Sequence, residues 1–183
     1  MAERFYELHV AGCTRRLPVL NVSHELAIAG FVMLGDVELT SACAKALAKK
    51  IPSNVDIILT AETKGIPLAA DLAKELGMSH FIVARKSVKA YMERPICVED
   101  ESITTKGKQM LCLMDSDIDR IKGKNVLLLD DVISTGGSML ALTALTRKAG
   151  GIVAGKAAVL AEGEAMKRDD IIYLETLPLF EAQ

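Results

Sequence analysis

The sequence has no surplus of basic residues. Its 22 lysines and arginines are outnumbered by 24 aspartates and glutamates, which gives a formal net charge of −2 and a pI near 6.0. A protein that binds nucleic acid normally carries a basic face or tail that neutralises phosphates. We therefore expect no nucleic-acid partner.

The chain also lacks an apolar run long enough to cross a bilayer. Residues 1–6 do not form the basic segment that precedes an apolar run in secretory signals. These two absences predict a cytoplasmic protein that has no membrane partner.

Cysteine is scarce, and no pair of cysteines has the C-x-x-C spacing of a metal or redox site. The four cysteines are Cys13, Cys43, Cys97 and Cys112. Because they are scattered, and three lie in apolar or strand-like segments, we predict reduced thiols rather than a disulfide framework. The three histidines show no metal-ligand spacing either, so we predict no metal site built by the protein alone.

Repeats, linkers and low-complexity tracts are absent, and half of the residues are apolar, which suffices for the core of one domain. Strand-like apolar runs alternate with helical patterns, which predicts an α/β fold with a mostly parallel sheet flanked by helices. The predicted strands are Val55–Thr60, Phe81–Ala84, Val126–Leu129 and Ile152–Leu160, with shorter ones at 102–105 and 109–113. The predicted helices are Leu39–Lys50, Pro67–Leu76 and Ser138–Ala149.

The strongest chemical pattern follows the predicted strand Val126–Leu129. Asp130 and Asp131 come next, and a loop of serine, threonine and glycine at 134–138 leads into a helix. Glycines before a helix start let unpaired backbone N–H groups approach a phosphate, and the hydroxyls add further donors. The upstream carboxylates can accept hydrogen bonds from vicinal hydroxyls, so the pattern predicts a ribose 5-phosphate site. Dinucleotide and Walker-type sites are excluded, because neither G-x-G-x-x-G after a strand nor G-x-x-x-x-G-K-[ST] occurs.

The segment Val126–Met139, VLLLDDVISTGGSM, resembles the 5-phosphoribosyl 1-pyrophosphate signature of type I phosphoribosyltransferases, and most closely that of the adenine branch. The resemblance implies the type I phosphoribosyltransferase fold and transfer of the phosphoribosyl group to a purine base in salvage. It implies catalytic roles for Asp130, Asp131 and Lys64, Mg²⁺ held mainly through the substrate pyrophosphate, and a homodimer. The residues that it assigns to the 5-phosphate are Ser134, Thr135, Gly136, Gly137 and Ser138.

A second loop follows the predicted strand Val55–Thr60 and opens the next helix. In the family this loop holds pyrophosphate, often through a cis peptide, and the resemblance places Thr63, Lys64 and Gly65 there. Basic side chains after the following strand suit a leaving group that carries several negative charges. These further predicted pyrophosphate ligands are Arg85, Lys86 and Lys89.

A small hood at about residues 1–36 is expected to precede a core at about 37–183, the two forming a single domain. Base specificity in the family resides in the hood and a mobile loop. We predict Phe31 and Val32 as base-binding residues, since an aromatic ring can cover a planar base.

The sequence leaves the identity of the base open. Adenine is the first candidate, although Thr105 stands where adenine enzymes usually carry a glutamate in the mobile loop. Xanthine or another 6-oxopurine is the alternative, although the lysine that xanthine enzymes carry after a late strand is replaced in Glu162-Gly163.

A hypothesis from another functional class is that the protein is a regulator, which has this fold and senses phosphoribosyl pyrophosphate without catalysing its reaction. Repressors of that kind add a winged-helix domain before the fold, and RNA binders of that kind carry a basic face. The slightly acidic charge and the intact Lys64, Asp130 and Asp131 favour an enzyme.

Overall fold

The structure is a computed structural model that describes residues 4–100 and 109–183. Its strands in chain order are β1 (Phe5–Val10), β2 (Cys13–Asn21), β3 (Leu26–Ala29), β4 (Ile57–Ala61), β5 (Ile82–Ala84), β6 (Ile96–Asp100), β7 (Gln109–Leu113), β8 (Asn125–Ile133), β9 (Ile152–Glu162), β10 (Glu175–Leu177) and β11 (Leu179–Glu181). Its helices are α1 (Val37–Ala48), α2 (Ile66–Glu75), α3 (Asp115–Ile121) and α4 (Gly137–Lys148), with a short 3₁₀ helix at Gly163–Lys167.

The centre of the molecule is a parallel sheet of five strands in the order β10-β9-β8-β4-β5. Every residue of β4 is buried, and Val126–Leu129 of β8 has no exposed surface. Helices cover both faces of such a sheet, so its inner strands must be apolar on both sides. The predicted α/β fold with a parallel sheet is therefore confirmed.

The three predicted helices correspond to α1, α2 and α4, with every end within two residues of its predicted position, whereas α3 was not predicted. Asp36 caps α1 by accepting a hydrogen bond from the Leu39 N–H at 3.1 Å. Pro67 lies in the first turn of α2, where the predicted helix begins, and Gly77 follows the end of α2 with a φ of 69°.

A second sheet of four antiparallel strands, in the order β1-β2-β3-β11, contains the first three strands of the described chain. Its fourth strand comes from the C-terminus, which a hood drawn at residues 1–36 does not include. Arg15 on β2 joins this sheet to the core through contacts of 2.6 and 2.9 Å with the two carboxylate oxygens of Asp36.

Strands β6 and β7 form an antiparallel hairpin in which Cys97 and Cys112 lie opposite each other. Their Cα atoms are 4.2 Å apart and their sulfurs are bonded. The prediction of reduced thiols is therefore wrong for this pair, whereas Cys13 and Cys43 are free. Pairing across a hairpin depends on strand register, and a separation of 15 residues carries no sign of it.

One further predicted strand is longer in the structure, and another is not tested by it. Strand β8 continues past Leu129 to Ile133, so Asp130 and Asp131 belong to the strand rather than following it. The short strand predicted at 102–105 lies outside the described residues, whereas the one at 109–113 is β7. Within the described ranges, no helix has the length and apolar character needed to cross a membrane.

Candidate active site

One pocket of about 410 Å³ lies at the carboxyl ends of the parallel strands, beneath the end of β3. Ligands bind at this edge in open α/β sheets because the strand ends and the helix N-termini converge there. The pocket is lined by Ile28, Ala29, Gly30, Phe31, Ala61, Glu62, Thr63, Lys64, Lys86, Asp130, Asp131, Val132, Ile133, Ser134, Thr135, Gly136, Gly137, Ser138, Met139, Glu162 and Leu177.

The loop at 134–138, named the phosphate loop here, runs from the end of β8 into α4. Gly136 has a φ of 85°, a conformation that side-chain-bearing residues rarely adopt, and α4 begins at Gly137. No side chain caps this helix and its first turn contains no acidic residue. The unpaired N–H groups of the first turn are therefore available to an anion.

Asp130 and Asp131 differ in their surroundings although both border the pocket. Asp131 is only 2 % exposed, and its Oδ2 lies 2.7 Å from the Lys64 Nζ. Asp130 is partly exposed, and its Oδ1 accepts a hydrogen bond of 2.9 Å from the Asp131 backbone N–H. Burial, and next the adjacent Asp131 carboxylate, raise the pKa of Asp130 well above its usual range. Ionisation of Asp130 therefore costs free energy, while the carboxyl borders the pocket and can accept hydrogen bonds in either protonation state.

The loop at 62–65, named the pyrophosphate loop here, connects β4 to α2, and its Glu62-Thr63 peptide is cis. The structure contains the cis peptide that the family resemblance implies for this loop. Gly65 packs so closely on β4 that a Cβ built on it would overlap the Thr60 Oγ1. That oxygen is buried and has no hydrogen-bond partner among the described residues. Close packing against Thr60, rather than an unusual φ, therefore explains the glycine at 65.

Glu62 is fixed by the basic segment that follows β5. Its Oε2 accepts a 2.9 Å hydrogen bond from the Lys86 backbone N–H, and its Oε1 lies 3.2 Å from the Arg85 guanidinium. The Lys86 N–H and then Arg85 lower the pKa of Glu62, so this carboxyl is held as an anion. Arg85 also donates a 3.0 Å hydrogen bond to the Tyr91 hydroxyl. Arg85 therefore braces the loop rather than facing the pocket.

Glu162, at the end of β9, brings a carboxylate to the pocket between the hood and the phosphate loop. Burial raises the pKa of this carboxyl, while the charge of Lys64 acts in the opposite direction. Apolar side chains from other elements, Ile28, Phe31 and Leu177, line the pocket as well. This part of the site can enclose a flat, mostly apolar ring and offer it a hydrogen-bond acceptor.

A family model described as a phosphoribosyl transferase domain matches residues 37–181. The chain belongs to the phosphoribosyltransferase family. A hypoxanthine/guanine phosphoribosyltransferase of Methanotorris igneus is 36% identical over 114 residues, a match covering 62% of this chain and 58% of that relative. A second enzyme with that name, from Methanococcus voltae, is 28% identical over 141 residues, covering 77% of this chain and 71% of its own.

Solved structures similar to this phosphoribosyltransferase include adenine phosphoribosyltransferases. The one from Thermoanaerobacter pseudethanolicus has a TM-score of 0.65 and 26% identity, covering 79% of this chain and 84% of that one. The one from Rhodothermus marinus has a TM-score of 0.62 and 25% identity, covering 79% and 83% respectively. Sequence relatives and structural neighbours thus agree on the family and on purine enzymes, and they differ in the base that is named.

Most of the predicted site residues of this phosphoribosyltransferase line one pocket. The predicted residues found there are Phe31, Thr63, Lys64, Lys86, Asp130, Asp131, Ser134, Thr135, Gly136, Gly137 and Ser138. Four others lie outside its lining. Val32 is 61% exposed, Gly65 packs on Thr60, and Arg85 pairs with Glu62. Lys89 donates a 2.6 Å hydrogen bond to the Ser87 hydroxyl.

Sequence reasoning gave Glu62 no role and treated Glu162 only as a replaced lysine. Glu62 directly precedes the three residues that were assigned to the pyrophosphate loop. Its acidic side chain was the available signal, because it can pair with the basic residues that follow the next strand. Phe31 belongs to the core as well as to the site, because it is 5% exposed and also borders the pocket.

Proposed function

We propose that this protein transfers the 5-phosphoribosyl group from 5-phosphoribosyl 1-pyrophosphate to a purine base, adenine in the first place. The observation that carries the proposal is the single pocket formed by the phosphate loop, the pyrophosphate loop and the Asp130-Asp131 pair. The phosphate loop binds the 5-phosphate, the Asp130-Asp131 pair binds the ribose diol, and the pyrophosphate loop binds the pyrophosphate. The products are the nucleoside 5′-monophosphate and pyrophosphate.

The reaction is a displacement at the anomeric carbon, in which a ring nitrogen of the base attacks as pyrophosphate leaves. The pocket contributes position and charge rather than a nucleophile. The N–H groups at the start of α4 hold the 5-phosphate, while Asp130 accepts hydrogen bonds from the ribose hydroxyls. Lys64 exchanges its contact with Asp131 for the leaving pyrophosphate, whose charge it stabilises together with Lys86.

Mg²⁺ is the cofactor that the family resemblance implies. Among the described residues, no three acidic, histidine or cysteine side chains are grouped as a metal cage. Oxygen ligands from pyrophosphate and water, supplemented by the pocket carboxylates, fit the reluctance of this ion to lose its hydration shell. Asp130 and Asp131 would hold its water ligands, and the ion would neutralise charge on the leaving group.

Glu162 supports adenine as the base if its carboxyl faces position 6 of the purine ring. A carboxylate oxygen there accepts a hydrogen bond from the 6-amino group of adenine, whereas it would face another acceptor in the 6-oxo group of hypoxanthine, guanine or xanthine. The structural neighbours are named as adenine enzymes. A 6-oxopurine is the second candidate, which the names of the sequence relatives favour.

Steady-state turnover of adenine, hypoxanthine, guanine and xanthine, with the donor and Mg²⁺, tests the proposal. We expect adenine to give the highest kcat/KM, and Glu162→Lys to lower it by at least about tenfold because a lysine donor repels the 6-amino group. Glu164→Lys is a matched control, since Glu164 is 85% exposed and pairs with Lys167. Turnover of a 6-oxopurine in preference to adenine by the native protein would contradict the choice of base.

The homodimer and the cytoplasmic location stay predictions of the resemblance. Sedimentation equilibrium over a range of protein concentrations checks the first, and fractionation of the source cells checks the second.

A further inference from the structure

The phosphate loop contains no charged side chain, although it is proposed to hold a dianion. Residues 134–138 are serine, threonine, two glycines and serine. Lys64, the basic side chain that borders the same pocket from the pyrophosphate loop, is paired with Asp131 at 2.7 Å. A further positive charge beside the loop would strengthen its preference for a phosphate dianion over a neutral ligand.

Arg168 supplies a positive charge beside this loop. An ideal Cβ built on Gly136 would lie 2.8 Å from the Arg168 Nη1, so the guanidinium occupies the space next to the bare glycine. The glycine thus serves two purposes, because it accepts a φ of 85° and lets the guanidinium approach the loop. Arg168 is not among the residues that line the pocket, so it reaches the loop from its outer side.

The orientation of Arg168 is fixed by Asp170. Its Nε and Nη2 donate parallel hydrogen bonds of 2.8 Å each to the two oxygens of that carboxylate. Asp170 also accepts a hydrogen bond of 2.7 Å from the Lys156 Nζ. Arg168 and Lys156 together carry two positive charges, and Asp170 carries one negative charge, so the group has a net positive charge beside the loop. Within the described ranges the Arg168 Nη1 donates no hydrogen bond that would divert it from the loop.

We propose that Arg168, held by Asp170, is a positioning residue for the 5-phosphate. Its Nη1 stabilises the phosphate loop in its anion-binding form, and its charge favours the dianion bound there. This inference rests on the proposed function. It adds a residue that lies 30 positions after the last residue of the loop and outside the pattern by which the loop is recognised.

The test compares three variants by calorimetric titration with two probes, ribose 5-phosphate and inorganic pyrophosphate, and by melting curves. Arg168→Met removes both the positive charge and the pair of hydrogen bonds to Asp170. Arg168→Lys keeps the positive charge but not the paired hydrogen bonds. Lys167→Met is the matched control, because Lys167 is the adjacent cation, is 73% exposed and pairs with the exposed Glu164.

We expect Arg168→Met to weaken ribose 5-phosphate binding about tenfold, which is typical when a charged hydrogen-bonding partner is lost. Pyrophosphate binding should stay within about twofold of that of the native protein. Arg168→Lys should fall between Arg168→Met and the native protein, and Lys167→Met should match the native protein. In turnover, Arg168→Met should raise KM for the donor with little change in kcat. The dependence of ribose 5-phosphate affinity on salt should become flatter, since one cation is lost.

Unchanged ribose 5-phosphate affinity in Arg168→Met would overturn the inference, and so would an equal loss for both probes, which indicates general damage. If Arg168→Met does not fold, Asp170→Asn takes its place, because it frees the guanidinium without removing it. It should weaken ribose 5-phosphate alone, and no change would overturn the inference. Failure of the native protein to bind ribose 5-phosphate at all would instead contradict the proposed function.

Discussion

The Nζ of Lys64 lies 2.7 Å from the Oδ2 of Asp131, and the carboxylate is almost fully buried whereas the lysine is half exposed. Lys64 was assigned to the pyrophosphate and Asp131 to the ribose, yet the two residues neutralise each other in the ligand-free protein. Entry of pyrophosphate offers Lys64 a more highly charged partner, so donor binding is expected to break this contact.

Lys64→Met should destabilise the protein as well as weaken its binding of the donor. The substitution leaves the Asp131 carboxylate buried without its cation, a loss of about 1–3 kcal/mol in the free energy of unfolding. Lys74→Met removes the exposed cation that pairs with Asp71 and should change stability by less than about 0.5 kcal/mol. Urea denaturation of both variants measures the difference. Equal stability of Lys64→Met and Lys74→Met would show that the buried pair is unimportant.

Asp130→Asn should make the ligand-free protein more stable at pH 8 and a weaker binder of the donor. Burial and Asp131 raise the pKa of Asp130, so ionisation of this carboxyl costs stability. The stability that the neutral carboxyl contributes is fully present below the ordinary aspartate pKa of about 3.9. It is lost as pH rises through the higher pKa of the folded protein. Asparagine stays neutral, so the advantage of the variant over the native protein should shrink toward pH 4.

Melting temperatures of the two proteins between pH 4 and 8 check the stability of Asp130→Asn, and calorimetric titration checks its donor affinity. Asp130→Asn removes a charged acceptor of hydrogen bonds from the ribose. The affinity for 5-phosphoribosyl 1-pyrophosphate should therefore fall about 10-fold to 100-fold. A variant that melts lower than the native protein at pH 8 and binds the donor equally well would assign Asp130 a purely structural role.

Gly65→Ala should be costly in the native background and much less so beside Thr60→Ala. The new Cβ overlaps the Thr60 Oγ1, and forced overpacking costs about 1–3 kcal/mol in folding free energy. Shortening Thr60 removes the obstacle, so the two substitutions should not add. A double-mutant cycle of unfolding free energies measures this coupling, and strict additivity would show that Thr60 is not the obstacle.

Reducing the Cys97–Cys112 disulfide should lower stability by about 2–4 kcal/mol, as is typical when a loop of this size is released. Melting curves with and without a reductant should differ for the native protein but not for Cys97→Ala with Cys112→Ala. Cys43→Ala is the control, because that thiol is free and its loss leaves the response to reductant intact. An unresponsive native protein would contradict the disulfide.

Local patterns were sufficient for most of the fold. The apolar run at Val126–Leu129 could only be an inner strand, and Pro67 with Gly77 bounded a helix. Contacts between distant segments could not be predicted in this way. Strand β11 joins β3 across more than 150 residues, and the Cys97–Cys112 bond depends on hairpin register. Neither relationship leaves a periodic trace in the sequence.

The candidate site likewise contains residues that a local pattern predicts and residues that contacts between distant segments bring in. Residues within the phosphate loop were predictable because one short segment supplies the glycines, the hydroxyls and the helix start. Arg168 and Glu162 enter the region from the end of the chain through packing that no motif encodes. The departure noted at Thr105 lies outside the described residues, so its effect on the base stays a prediction.

The most direct measurement is pyrophosphate release from 5-phosphoribosyl 1-pyrophosphate by the native protein with Mg²⁺, in the presence and absence of adenine. The account predicts release that depends on adenine and equals, mole for mole, the adenosine 5′-monophosphate formed. Tight binding of the donor without release in the presence of any purine base would contradict it and would identify a sensor rather than an enzyme.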